Sequence, residues 1–468
     1  MTTAKDNLIP TESLYAAHQK IYPREIKGRF QHWRHLTIIA TLIGYYGLPW
    51  LNWNHHQAIL FDLPARQFYI FGITFWPQDF YYLTWLLIIA ALSLFLITAI
   101  AGRIWCGYSC PQTVWTEAFL WLERITEGNY RQRMKLDQGP WTPEKFFKKC
   151  VKQFLWISFA LWTGFTFVGY FTPIKTLAAQ LSIGALGGWE WFWGIFYGFA
   201  TYGNAGFLRE QVCKYMCPYA RFQSAMFDKD TLIVSYNAER GEPRGSRKRG
   251  ESSDGLGDCI GCQMCVQVCP TGIDIREGLQ YECISCTACI DACDSVMDQM
   301  GYQRGLIKYT SENALAHKKS RVLRPRIILY STLWFGLCGA FFLTLFFRTP
   351  LAIDVLRDRN ALYQEAENET IDNVYALKIM NKDHAPHNYR ISVSGLDELS
   401  IVSNTTTDTV AAGEVFNLPL RVRVKEAALR KPSNKITIQV ETLDHSMQTT
   451  ETTLFWAPME HLHEKHSH

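Results

Sequence analysis

Eight of the 14 cysteines in this 468-residue chain fall within residues 259–293, as Cys259-x2-Cys262-x2-Cys265-x3-Cys269-Pro270 and Cys283-x2-Cys286-x2-Cys289-x3-Cys293. Three thiolates on one tight loop can hold three irons of a cube, and a fourth from a distant point closes it. Paired C-x2-C also binds zinc, but two sets of four at this spacing point to two [4Fe–4S] clusters. Four further cysteines repeat one motif, Cys106-Gly-Tyr-Ser-Cys110-Pro111 and Cys213-Lys-Tyr-Met-Cys217-Pro218. On a helix, positions i and i+4 share a face, so each pair is expected to point two sulfurs one way. Four soft ligands suit an Fe–S cluster or Cu(I), and less specifically zinc; buried cysteines at helix ends are the plainer alternative. Cys106, Cys110, Cys213 and Cys217 are thus candidates for a redox or copper site. Cys150 and Cys338 stand alone and read as small apolar residues.

The elements that must carry these thiols are membrane helices. Averaged over the chain, 48% hydrophobic and 19% charged residues describe a soluble enzyme. The average hides a mosaic, because the 16 Trp and 28 Phe gather largely in apolar runs and the charge lies between them. Disorder, collagen-like repetition and a small disulfide-stapled domain are excluded, and a net charge of +4 is too weak to indicate nucleic acid. Five runs approach or exceed the ~20 residues that cross a bilayer core: Leu36–Trp53, Tyr81–Ala101, Phe154–Thr172, Leu186–Leu208 and Ile327–Phe347. Gly47 and Pro49 shorten the first; the fourth is rich in Gly and carries Glu190 near one end. The first begins about 35 residues in without a small-x-small cleavage site, so it is expected to stay as an anchor.

Charge placement sets direction. Six Lys/Arg (Lys5, Lys20, Arg24, Lys27, Arg29, Arg34) precede the first run and eight lie in 102–150, whereas 54–80 hold only Arg66 and 173–185 only Lys175. Because cytoplasmic loops retain positive charge, the amino terminus is expected inside. Five crossings then place 209–326, with 17 Lys/Arg, inside and the carboxyl terminus outside. The expected order is a cytoplasmic segment 1–35, a four-span region 36–208 with a cytoplasmic loop 102–150, a cytoplasmic linker and cluster domain 209–326 (core 255–300), a fifth span 327–347 and an outer domain 349–468. In the 102–150 loop, Val114, Ala118, Trp121, Leu122 and Ile125 recur at helical spacing, with Glu117, Glu123 and Arg124 on other faces. That pattern suits a helix on the membrane surface or one packed on the inner domain. Residues 240–258 read as a linker whose basic run is solvated or near lipid headgroups. A reducing cytoplasm argues against disulfides in the cluster domain.

Beyond residue 349 there is no cysteine and the apolar period becomes two. Leu418, Leu420, Val422 and Val424 alternate with Pro419, Arg421, Arg423 and Lys425, and Ile436, Ile438 and Val440 with Thr437, Gln439 and Glu441. With Val374–Met380, Tyr389–Val393 and Thr452–Trp456, these strands suggest an immunoglobulin-like β-sandwich suited to docking. The tail (Met459, His461, His463, His466, His468) and the pair His55 and His56 are further metal candidates, more often incidental.

Residues 255–300 resemble bacterial two-cluster ferredoxins, in which each motif lends its last cysteine to the other cluster. The resemblance implies cluster I on Cys259, Cys262, Cys265 and Cys293, and cluster II on Cys283, Cys286, Cys289 and Cys269, with loading coupled to folding. Asp294 departs from the usual Pro but removes no ligand. The segments GRIWCGYSCPQTVWTE (102–117), REQVCKYMCPYARFQSAMFDKD (209–230) and NAERGEPRG (237–245), with the cluster motifs and an outer β-domain, resemble the cytochrome c oxidase accessory family CcoG, also called FixG or RdxA. The C-x3-C-P motif alone is shared with polyferredoxin-type membrane proteins of the NapH and NosR kind. The resemblance implies a multi-pass protein of the bacterial inner membrane that aids assembly of a haem-copper cytochrome c oxidase. Its chemical role there would be reduction of Cu(II) to Cu(I) for copper delivery. The implied partners are membrane lipid, a cytoplasmic electron donor, the copper ion, and oxidase subunits or copper-transport and assembly factors, with no nucleic acid. Two other readings stay open: a quinol-linked carrier like NapH, a family that lacks the outer β-domain, and an assembly scaffold acting through that domain. No flavin-attachment segment of NosR type is recognisable.

Overall fold

The computed structural model describes residues 20–53, 56–251, 255–358, 361–366, 369–383, 385–429 and 431–458. His55 and the His-rich tail from Met459 lie outside these residues. The remaining candidate of that kind, His56, stacks on Tyr69 with ring centroids 4.4 Å apart. The chain divides into two units between Gly339 and Ala340.

In the first unit, helix α1 (Arg29–Gly47) starts against the cluster motifs. The N–H groups of Phe30 and Gln31 donate to the Asp291 carboxylate at 3.2 and 2.7 Å, which satisfies orphan donors of a helix N-terminus. Gly28 permits this approach, since a Cβ there would lie 2.1 Å from Asp291 Cγ. Pro49, in a 3-10 turn, ends the helical segment early. There follow α2 (Phe80–Ala101), the short α3 (Ile104–Tyr108), α4 (Pro111–Glu127), α5 (Pro143–Val168) and α6 (Gly188–Thr201). The chain then winds as π-helix over Tyr202–Leu208 and Val212–Met216 before α7 (Pro218–Ala225). Strands β1 (Ile233–Tyr236) and β2 (Ile307–Thr310) pair antiparallel around the cluster motifs, with α8 (Ala288–Met300) between them in sequence, and α9 (Pro325–Phe346) follows.

Among the described residues, three helical segments are long and apolar enough to cross a membrane: Pro77–Ala101, Pro143–Val168 and Pro325–Phe346. The first and third of these leave their apolar side chains almost wholly unburied, as lipid-facing helices do. The expected first run instead becomes a 19-residue helix bearing Arg29 and Arg34, and the fourth a 14-residue α-helix extended by π-turns. The glycines of that fourth run have a packing reason. A Cβ on Gly164 of α5 would lie 2.0 Å from the Gly194 carbonyl of α6, so the two backbones touch along Gly194-x3-Gly198.

The cluster motifs belong to the same unit as the helices and abut α1 and α3. Two expectations need correction. Helix α4 does not lay its apolar stripe on the membrane surface, the first of its two expected places, but packs inside the first unit. Val114 and Phe119 are fully buried, Phe119 packs on Trp156 of α5 at 5.3 Å, and Glu117, Glu123 and Glu127 are buried as well, whereas Ile125 is 77% exposed. The basic segment after Ala238 is not wholly solvated either, because Arg240 bonds Asp258 and the buried Arg247 bonds Tyr302 Oη and the Gly257 carbonyl.

The second unit is a sandwich of two antiparallel sheets. One contains β3 (Leu351–Arg357), β4 (Gln364–Ala366), β5 (Thr370–Asn381), β7 (Ser400–Ile401) and β8 (Val415–Lys425), in the order β7-β8-β5-β3 with β4 also on β5; the other is β6 (Tyr389–Ser394), β9 (Ser433–Thr442) and β10 (Gln448–Trp456), with β9 central. The expected alternation holds, as Leu420, Val422 and Val424 meet Ile436, Ile438 and Val440 in one buried core. Tyr375 Oη donates to the Leu454 carbonyl at 3.0 Å and Asn373 exchanges hydrogen bonds with Trp456, so polar groups join the sheets at one edge.

Candidate functional site

The two cluster motifs fold as copies of one loop. Gly261 and Gln263 in the first have φ of 68° and 57°, and Ser285 and Thr287, at the matching positions of the second, have 52° and 61°. Left-handed residues are uncommon outside glycine, and a β-branched Thr there is strained by roughly 1–3 kcal/mol. Alternating hand turns successive amides toward one concavity, the backbone nest that receives anions and Fe–S groups. Each loop lines one cavity. Cys259, Cys262, Cys265 and Cys293 line the first with Tyr236, Met297 and Ile307. Cys269, Cys283, Cys286 and Cys289 line the second with Val234, Ile273 and Ile284, and Cys265 lies on the wall between. Each cavity therefore takes three cysteines from its own loop and one from the other.

Both cavities are apolar, so the thiols are reluctant to ionise. Burial pushes Cys265 and Cys283 up to about 11 and Cys286 and Cys293 up to about 12, and holds Cys289 well above the usual thiol range. Neighbouring sulfurs of the same set add to the rise. A metal group must displace these protons to be held.

The C-x3-C-P pairs are built differently from the helical expectation. Cys106 lies in α3 and Cys213 in a π-turn, while Cys110 and Cys217 are the residues before α4 and α7. The physical reason is proline: it suits the first position of a helix and forces the residue before it into extended backbone, here ψ of 132° at Cys110 and 108° at Cys217. Each pair thus straddles a corner between two helical segments. The corners still bring all four sulfurs within electrostatic reach of one another, and with burial this raises Cys106 to about 11 and Cys213 to about 12. Among the described residues, no three His, Cys, Asp or Glu side chains close on a single point as they would around one ion.

Two clamps set the corners together. Gln112 Nε2, two residues after Cys110, donates to the Asn204 and Arg209 carbonyls at 2.9 and 3.0 Å. Arg209 itself, with φ of 43°, donates to buried Glu123 of α4 at 2.9 Å and lies 5.5 Å over Trp156. Glu123 also meets Lys20, Arg133 and Lys152. Burial would raise its carboxyl, but Arg209, Lys20, Lys152 and Arg133 hold it down at about 2. A small cavity bounded by Gln112, Glu117, Arg209 and Glu210 opens onto Cys213.

The corner set touches the second cavity. Cys106 shares an apolar cluster with Ile284 and Cys286. Gly107 of α3 lies against the loop backbone, where a Cβ would be 2.7 Å from the Ile284 carbonyl oxygen and 2.8 Å from Cys286 Cα. Tyr108 Oη and Thr287 Oγ1 bond at 2.7 Å, and Arg34 Nε donates to the Gly107 carbonyl at 3.0 Å. Arg34, Gly107, Gln112, Arg209 and Glu123 carried no local signal, apart from the glycine inside its motif.

Family models described as "4Fe-4S dicluster domain" and "4Fe-4S binding domain" match residues 208–312 and 83–127, which together contain all twelve site cysteines. A third, described as "IG-like fold at C-terminal of FixG", matches residues 341–458. Protein RdxB of Cereibacter sphaeroides is 42% identical over 87% of this chain and 89% of its own length. Protein RdxA of the same organism is 42% identical over 82% and 84%, and nitrogen fixation protein FixG of Rhizobium meliloti 38% over 82% and 80%.

Proposed function

The chain belongs to the FixG and RdxA family, and we propose that it is an iron–sulfur oxidoreductase of the bacterial inner membrane that reduces Cu(II) to Cu(I) and supplies it for assembly of a haem-copper cytochrome c oxidase. One observation carries the reading: three sets of four cysteines stand in contact order, with Cys265 on the wall between the first two and Gly107 pressed against the second. Two [4Fe–4S] clusters, when bound to the first two sets, supply one-electron transfer along that line. Cys106, Cys110, Cys213 and Cys217 receive copper as substrate, since thiolates favour Cu(I) over Cu(II). Gln112 and Arg209 tie the two corners to each other and to α4, and the cavity at Glu210 and Cys213 gives the ion entry.

Five crossings, with the amino terminus and cluster motifs inside and residues 349–468 outside, fit the Lys/Arg distribution. The close α5–α6 contact through Gly164 and Gly194 supports counting α6 as a span. Three crossings would leave the two chain ends on opposite sides equally well. The outer sandwich then faces the oxidase subunits or copper-transport factors that take up the product. In cells whose own copy carries Cys110→Ser or Cys217→Ser, oxidase activity should fall and recover when copper is supplied in excess. Full oxidase activity in both variants at limiting copper would defeat the proposal.

A further inference from the structure

Arg103 ends the turn between α2 and α3 and is 2% exposed. Its Nε donates to Gln223 Oε1 at 3.0 Å and its Nη1 to the Tyr281 carbonyl. Among the described residues no carboxylate meets it. That is unusual, because a buried guanidinium without a counter-charge costs several kcal/mol. Two other buried cations near these cysteines, Arg34 and Arg209, are neutralised by Glu117 at 3.0 Å and by Glu123 at 2.9 Å. Cys106 Sγ bonds the same Gln223 oxygen at 3.3 Å, so Arg103 and Cys106 are joined through one atom. Tyr281 lies two residues before Cys283, so the other end of the guanidinium is tied to the segment that leads into the loop of the second cavity.

We propose that Arg103 is the shared counter-cation of the C-x3-C-P site and of the neighbouring four-cysteine cavity. Resting on the function proposed above, this makes Arg103 a positioning residue whose permanent charge makes the metal groups on both sides easier to reduce. A cation near a redox group stabilises the state that has gained the electron, and in a site closed to water the effect is little screened. Gln223, fully buried and donating through Nε2 to Thr98 Oγ1 at 3.2 Å, fixes which side of the guanidinium faces Cys106.

The test uses anaerobically purified holoprotein as wild type, Arg103→Lys and Arg103→Gln, with iron and sulfide counts and a reductive EPR titration. Arg103→Gln should shift the reduction equilibrium of the cluster on Cys269, Cys283, Cys286 and Cys289 at least tenfold toward the oxidised form, about 59 mV for a one-electron couple. The cluster on Cys259, Cys262, Cys265 and Cys293 should move less, and Arg103→Lys should restore most of the change. Unmoved midpoints at unchanged iron content overturn the proposal. If Arg103→Gln loses iron, Arg103→Lys decides: retained iron and near-wild-type midpoints support a charge role, and equal loss overturns it. Wild-type protein without clusters on these sets would instead take down the underlying function, so the two failures are distinguishable.

Discussion

Replacing Gly107 with Ala should break the joint between the C-x3-C-P corner and the second cavity. The new Cβ would meet backbone only: Ile284 O at 2.7 Å, Cys286 Cα at 2.8 Å and Cys286 N at 2.9 Å. To reach ordinary contact, α3 and the loop must part by about 0.5–0.7 Å, and overpacking of this kind costs about 1–3 kcal/mol. The segments are not free to part, because the Tyr108–Thr287 and Arg34–Gly107 hydrogen bonds tie them together. A cost of that size lowers the stability of the loaded second site by roughly five- to 150-fold. Iron and sulfide counts with EPR on anaerobic protein should show the cluster on Cys269, Cys283, Cys286 and Cys289 depleted and the other retained. Gly44→Ala is the control, since nothing lies within 4 Å of its added carbon. A Gly107→Ala protein with full iron, an unchanged spectrum and unchanged thermal unfolding would refute the steric reasoning.

Glu123→Ala strands Lys20, Arg133, Lys152 and Arg209 around a buried void and should cost about 3–5 kcal/mol, read from thermal unfolding in detergent. Because the Glu123 carboxyl is held at about 2, its contribution is whole above pH ~5 and lost as pH falls toward 2, so Glu123→Gln should flatten acid unfolding across that window. The raised thiols of Cys265, Cys283, Cys286 and Cys293 stay protonated at neutral pH, so cluster reconstitution, followed by absorbance, should be weaker at pH 6.5 than at pH 8.5. Reporter fusions after Gly301 and after Lys435 should give opposite signals, and equal signals would contradict a crossing by α9.

The eight clustered cysteines were legible because ligand spacing is local, and their exchange between loops followed from the two-cluster pattern. The sandwich was legible for the same reason: Leu420, Val422 and Val424 alternate within one strand. The C-x3-C-P pairs were misread as one helical face because the proline after each second cysteine was not given its force. It ends the helix at Cys110 and Cys217 and makes the corner. Glu123 looked like a solvent-facing charge, and only the fold brings Arg209 and Lys20 to it from far along the chain. The short fourth run hid its purpose too, because Gly194 and Gly198 gain meaning only once α5 lies against them. Arg103 was invisible for a related reason, since its isolation from carboxylates is a property of the packed interior.

The most direct measurement mixes anaerobically reduced holoprotein with Cu(II) in the presence of a Cu(I)-specific chromophore and follows cluster bleaching and Cu(I) formation together. Wild type should form one Cu(I) for each electron lost from the clusters, while Cys110→Ser and Cys217→Ser keep their clusters reduced and form none. Copper reduction at the wild-type rate in both variants, or clusters that stay reduced in wild type while Cu(II) persists, would contradict electron delivery to copper at the C-x3-C-P corner.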